Sequence, residues 1–148
     1  AHLAAEAFVR AGFDPADPAS AAARAVGLAL GGVRLDPGLR LRLTGEFTDM
    51  LLWLAGLDDL RPALAGGYCE RDILDPDGER HRPDLFAATP DGLIVADFKT
   101  GQADPGHDAQ VRRYCGLLGR LPGYAHLPAR GLLAYLDRRE CRPVECAS

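Results

Sequence analysis

The tripeptide Pro90-Asp91-Gly92 is the strongest constraint on the fold, because it sets a tight turn between two runs rich in apolar and β-branched residues. The flanking segments, residues 80–89 and 93–100, are therefore expected to pair as antiparallel strands. A second turn signal, Asp75-Pro76-Asp77-Gly78, places another strand over residues 68–74. The centre of the chain reads as a three-strand meander.

Register then decides which side chains meet. If Thr89 faces Gly92 across the turn, Asp84 lies opposite Asp97. Side chains alternate with period two, so Lys99 shares the face of Asp97 while Ile94, Ala96 and Phe98 point to a core. A three-residue loop would instead set Asp84 diagonal to Asp97. The first turn, taken with Asp75 facing Gly78, places Cys69 opposite Asp84. Glu70 would then reach the same face only through a bulge or an odd loop.

Helical signals flank this core. Leu3, Ala7, Phe8 and Ala11 recur at helical spacing, residues 19–30 form an alanine-rich helix ended by Gly31-Gly32, and Asp36-Pro37 opens a stretch whose 44–54 segment carries an apolar stripe. Asp104-Pro105 supplies an N-cap and first-turn proline for a helix to about Leu118, with Gln110 and Tyr114 on one face. A further strand is expected over residues 131–136. The fold class is α/β, in the α+β sense. Residues 1–65 form a helical part, and residues 66–148 a core with a mixed sheet. At 148 residues and 47% apolar composition the chain is enough for one domain.

With 17 basic against 21 acidic residues, the chain has a formal net charge of −4 and no broad cationic surface that would coat nucleic acid unaided. Lys99 is the single lysine among those 17, the other positions being arginine. An ammonium is a compact charge whose pKa shifts readily, so its retention at one position points to a chemical task. Two carboxylates opposed on neighbouring strands repel each other at a Cβ separation of about 4.5–5.5 Å. A divalent cation offsets that repulsion, and hard oxygen ligands suit Mg²⁺ or Mn²⁺. No run is long enough to span a membrane and no signal peptide precedes the first helix, so the chain reads as soluble and cytoplasmic, cut from a longer polypeptide. Cys69, Cys115, Cys141 and Cys146 lack the spacing of a zinc or redox site and read as unligated thiols.

Pro83-Asp84 followed by Asp97-Phe98-Lys99 resembles the PD-(D/E)xK nuclease signature. Together with Gln110-x3-Tyr114 downstream, the stretch from Tyr68 to Leu136 is similar to the RecB/AddA branch, whose nuclease domain closes a bacterial recombination-repair helicase. The resemblance implies a restriction-endonuclease-like core. It also implies Mg²⁺, replaceable by Mn²⁺, held by Asp84, Asp97 and the Phe98 carbonyl, with Lys99 activating water and stabilising charge on the phosphate. Gln110 and Tyr114 would position the substrate strand and support the lysine. Glu70 resembles the acidic residue of the family's first strand, and His2 a metal-ligating histidine on an N-terminal helix. Here His2 stands at the chain start, where fraying is expected. His107 could contact a phosphate, while His81 and His126 read as structural or exposed.

The implied activity is hydrolysis of DNA phosphodiester bonds in end processing, with DNA delivered by a helicase motor in the same chain or complex. Two other readings stay open: a catalytically silent nuclease fold serving as a DNA-end or subunit-docking module, and an iron-sulfur relative whose cluster is held by four cysteines.

Overall fold

The computed structural model describes residues 1–146. Four helices come first: α1 (His2–Arg10), α2 (Pro18–Gly31), α3 (Pro37–Ala55) and α4 (Arg61–Gly66). Then follow β1 (Tyr68–Cys69), β2 (Ile73–Leu74), β3 (Arg80–His81), β4 (Leu85–Thr89), β5 (Gly92–Lys99), α5 (Pro105–Leu118), β6 (Ala129–Tyr135) and β7 (Glu140–Val144). Three Asp-Pro pairs start helices for one reason. The aspartate accepts a backbone N–H of the first turn, and the proline occupies a position whose own N–H would lack a partner. Asp17 accepts from Ser20, Asp36 from Leu39 and Asp104 from Gly106.

The chain is a mixed α+β protein whose main sheet runs β1-β4-β5-β6-β7. Strands β4 and β5 form the expected hairpin, with Thr89 paired to Gly92 and Leu85 to Ala96. Glycine is required at 92: its φ is +135°, and a Cβ there would lie 2.4 Å from the Pro128 carbonyl oxygen. Strand β6 runs parallel to β5, reached through α5 as a crossover, and β7 pairs antiparallel along β6. No strand was expected at β7, where Pro143 weakens the sequence signal. Proline is tolerated there because β7 is an edge strand.

The meander differs from expectation in its first two strands. Each is broken, giving short β1 and β4 in the main sheet and a separate β2–β3 hairpin. The break falls at Glu70, whose φ is +52°. The connection between β2 and β3 is also an odd loop. Leu74 pairs with Arg80, and the Asp75 N–H donates to the Glu79 carbonyl, with Gly78 at positive φ. That extra residue shifts the register by one, so Cys69 pairs with Leu85 rather than Asp84.

The sheet is covered on both faces. Helices α1 to α4 pack on one side against Leu85, Ala87, Ile94, Ala96 and Phe98. Helix α5 packs on the other, with Val111, Tyr114, Cys115 and Leu118 against Phe86, Leu93, Val95, Leu133 and Tyr135. Every other β5 side chain therefore faces α5, which carries Asp97 into the interior. Among the described residues no helix is long and apolar enough to cross a membrane.

Candidate active site

The site forms where β4 begins and β5 ends. The β4–β5 ladder stops at Leu85 paired with Ala96, so the next N–H of β5 facing β4 needs another acceptor. Asp84 supplies it: its Oδ2 accepts from the Phe98 N–H at 2.5 Å. The same oxygen lies 3.1 Å from His2 Nε2 at the start of α1. Ala4, Ala5 and Phe8 are fully buried, which anchors α1 beside the sheet from its first turn and brings His2 here. The shifted register brings Glu70 alongside as well. Its N–H donates to the Asp84 carbonyl, and its carboxyl stands beside the Asp84 carboxyl. Ligand atoms of His2, Glu70 and Asp84 all lie within 4.8 Å of one another.

Asp97 and Lys99 occupy the α5 side. Lys99 Nζ sits 2.5 Å from Asp97 Oδ2 and donates to Gln110 Oε1 at 2.9 Å. Gln110 Nε2 donates in turn to the Tyr114 hydroxyl at 2.7 Å. Gln110 and Tyr114 stand one helical turn apart on α5, so both reach this end of the sheet. Asp97 Oδ2 is buried, and the Lys99 ammonium is its close neighbour.

Burial and crowding of like charges set the electrostatics. Asp97 is 1% exposed, and loss of solvation, with Asp84 adding repulsion, pushes its carboxyl up to about 6 despite the Lys99 ammonium. Glu70 is raised first by desolvation and then by Asp84. His2 is raised because Asp84 accepts its hydrogen bond, which favours the imidazolium. Removal from water, only partly offset by the Gln110 hydrogen bond, raises the Tyr114 phenol. Glu70 and Asp97 are thus both held above their ordinary range, and both feel the charge of Asp84. A donor set of His2, Glu70 and Asp84, with Asp97 beside it, has the oxygen-rich chemistry that suits a hard divalent cation.

Asp84, Asp97, Lys99, Gln110, Tyr114, Glu70 and His2 all come to this one end of the sheet. Phe98 enters through its N–H, which Asp84 accepts. No motif indicates that amide; the point where β4 stops does. His107 lies apart, with Nδ1 3.0 Å from the Tyr135 hydroxyl. His81 is buried against Asp75.

The cysteines depart from expectation, since Cys115 on α5 and Cys146 beyond β7 form a disulfide while Cys69 and Cys141 are free thiols. The linked pair belongs to the α5 face, and the free pair packs against the core on the other face of the sheet. Sulfurs divided in this way do not form a four-cysteine donor set for an iron-sulfur cluster.

No protein-family model matches this chain, and no curated protein does. Among solved structures, the crystal structure of SSO0001 is similar at 15% identity and a TM-score of 0.38, covering 83% of this chain and 74% of that one.

Proposed function

We propose that the chain is a metal-dependent deoxyribonuclease of the PD-(D/E)xK type, similar to RecB/AddA nuclease domains and built on a restriction-endonuclease-like core. It hydrolyses DNA phosphodiester bonds in cytoplasmic end processing, with DNA supplied by a helicase motor in the same chain or complex. One observation carries this reading. The molecule's single lysine and three carboxyls converge at one end of the sheet, and the most buried of those carboxyls lies against the lysine ammonium.

Asp84, Asp97 and Glu70 are the residues that would hold Mg²⁺ or Mn²⁺, with His2 and the Phe98 carbonyl as further ligands. The ion supplies Lewis-acid stabilisation of charge at the phosphate and acidifies water. The chain's own groups do the rest. Lys99 Nζ, held between Asp97 and Gln110, is aimed by two acceptors, leaving a third N–H to orient the attacking water or donate to a phosphate oxygen. The Tyr114 hydroxyl fixes the Gln110 amide, because accepting from Nε2 directs Oε1 at Lys99. His2 Nε2 and the Asp84 carboxyl hold each other at 3.1 Å.

The test compares wild type with Asp97→Ala and Lys99→Ala on linear and circular, single- and double-stranded DNA, with Mg²⁺, Mn²⁺ or EDTA. Cation-dependent cleavage by wild type is expected, falling by about two to four orders of magnitude in Lys99→Ala, the range for loss of a positioned acid-base group. Equal degradation by all three proteins, or none by wild type in either cation, overturns the reading.

A further inference from the structure

A cleft between α5 and the β2–β3 hairpin runs away from the Gln110–Tyr114 edge of the site. Two adjoining cavities of about 330 Å³ and about 490 Å³ share His81 and Arg113. The inner one ends on Gln110 and Tyr114, the outer one on Gly116, Leu117 and Arg120. On α5, Gly106, Ala109, Arg113 and Gly116 follow at helical spacing, and Arg120 continues the stripe just past the helix end. Small residues leave that stripe bare, and a Cβ on Gly116 would meet nothing within 4 Å.

The two walls differ in charge. Among the described residues Arg113 and Arg120 have no ion-pair partner, whereas Arg112 donates to the Glu145 carbonyl and faces Asp108 at 3.8 Å. The hairpin wall carries exposed Asp77 and Glu79. Asp75 is already engaged, accepting from the Asp77 and Glu79 amides and lying 3.0 Å from His81 Nε2.

We infer that this cleft guides a single DNA strand to the Lys99 site, with phosphates along Arg113 and Arg120 and base amino groups toward Asp77 and Glu79. The inference rests on the nuclease reading. Helix α5 rises about 8 Å from Arg113 to its end at Leu118 and Arg120 lies beyond, so the two guanidiniums meet different phosphates. Carboxylates on the far wall repel a second phosphate backbone but accept hydrogen bonds from base amino groups. A lone strand offers that asymmetry, phosphate on one edge and unpaired base on the other, whereas a duplex brings a second backbone to the acidic wall.

Binding is measured by fluorescence anisotropy in EDTA with a labelled single strand of about twelve nucleotides and its duplex, beside cleavage in Mg²⁺. The proteins are wild type, Gly116→Glu, Gly116→Lys and Arg113→Ala/Arg120→Ala, each checked for fold by far-UV circular dichroism. Wild type is expected to prefer the single strand. Gly116→Glu should weaken it about tenfold or more, while Gly116→Lys binds at least as well as wild type. The double arginine variant should lose about 1.4 from the slope of log affinity against log salt, about 0.7 per phosphate contact.

No binding by wild type, tighter binding of duplex, or equal affinity across the four proteins overturns the inference. Cleavage by wild type with KM and affinity untouched in Gly116→Glu removes the cleft and leaves the nuclease reading. Absent cleavage with binding still sensitive to position 116 does the reverse.

Discussion

Replacing Asp97 with asparagine should stabilise the cation-free protein while abolishing the proposed DNA cleavage. The Asp97 carboxyl is raised from an ordinary 3.8 to about 6 by burial and by Asp84, with the attraction of Lys99 already included. A folded-state value above the unfolded one means the native state binds the extra proton between those two pH values. Wild-type stability is therefore highest, for this group, below about pH 4 and falls as pH rises through about 6. The difference corresponds to about 3 kcal/mol at pH 8. An amide of the same shape carries no such charge, and Lys99, a fifth exposed, keeps Gln110 and some water. In EDTA at pH 8, Asp97→Asn should thus be more stable by about 2–3 kcal/mol, or about 4–12 °C in Tm. Urea denaturation followed by Trp53 fluorescence at pH 8 and pH 4 checks both the size and the pH window. Mg²⁺ should cancel the difference, since an ion at a hundredfold its Kd adds about 2.7 kcal/mol to the form that binds it. A variant less stable than wild type in EDTA at pH 8, or an advantage undiminished at pH 4, would refute the account of Asp97.

Two further outcomes follow from the geometry. Tyr114→Phe removes the acceptor that aims Gln110, so kcat should fall with KM little changed, and Gln110→Ala should fall further because Lys99 then keeps only Asp97; steady-state kinetics on a single-stranded substrate separates the two. Gly67→Ala should cost about 1–3 kcal/mol in chemical denaturation, because its Cβ would lie 2.4 Å from the Ala63 carbonyl, 2.8 Å from Leu85 Cδ1 and 2.9 Å from the Phe86 carbonyl.

Much of the site was legible because its central element is local. The Pro90-Asp91-Gly92 turn fixes the β4–β5 register within ten residues, so the shared face of Asp97 and Lys99 follows from alternation alone. The i,i+4 placement of Gln110 and Tyr114 follows in the same way from one helix with a readable cap. Asp17, Asp36 and Asp104 announced their helices for an equally local reason, a carboxylate next to the N–H groups it satisfies.

What the sequence determined by itself is therefore the set of contacts that one turn or one helical repeat can specify. The tertiary structure alone decided the rest. Glu70 reaches Asp84 through a five-residue loop and a positive-φ residue that shift the strand by one, alternatives nearly equal in local terms until the sheet pairs. His2 arrives from about eighty residues away because α1 buries Ala4, Ala5 and Phe8, an apolar packing choice with no imprint on the histidine itself. The Cys115–Cys146 link and edge strand β7 likewise depend on where the chain returns. Hydrogen bonds and torsions act over a few residues and can be read in line, whereas burial joins surfaces whatever their separation in the chain.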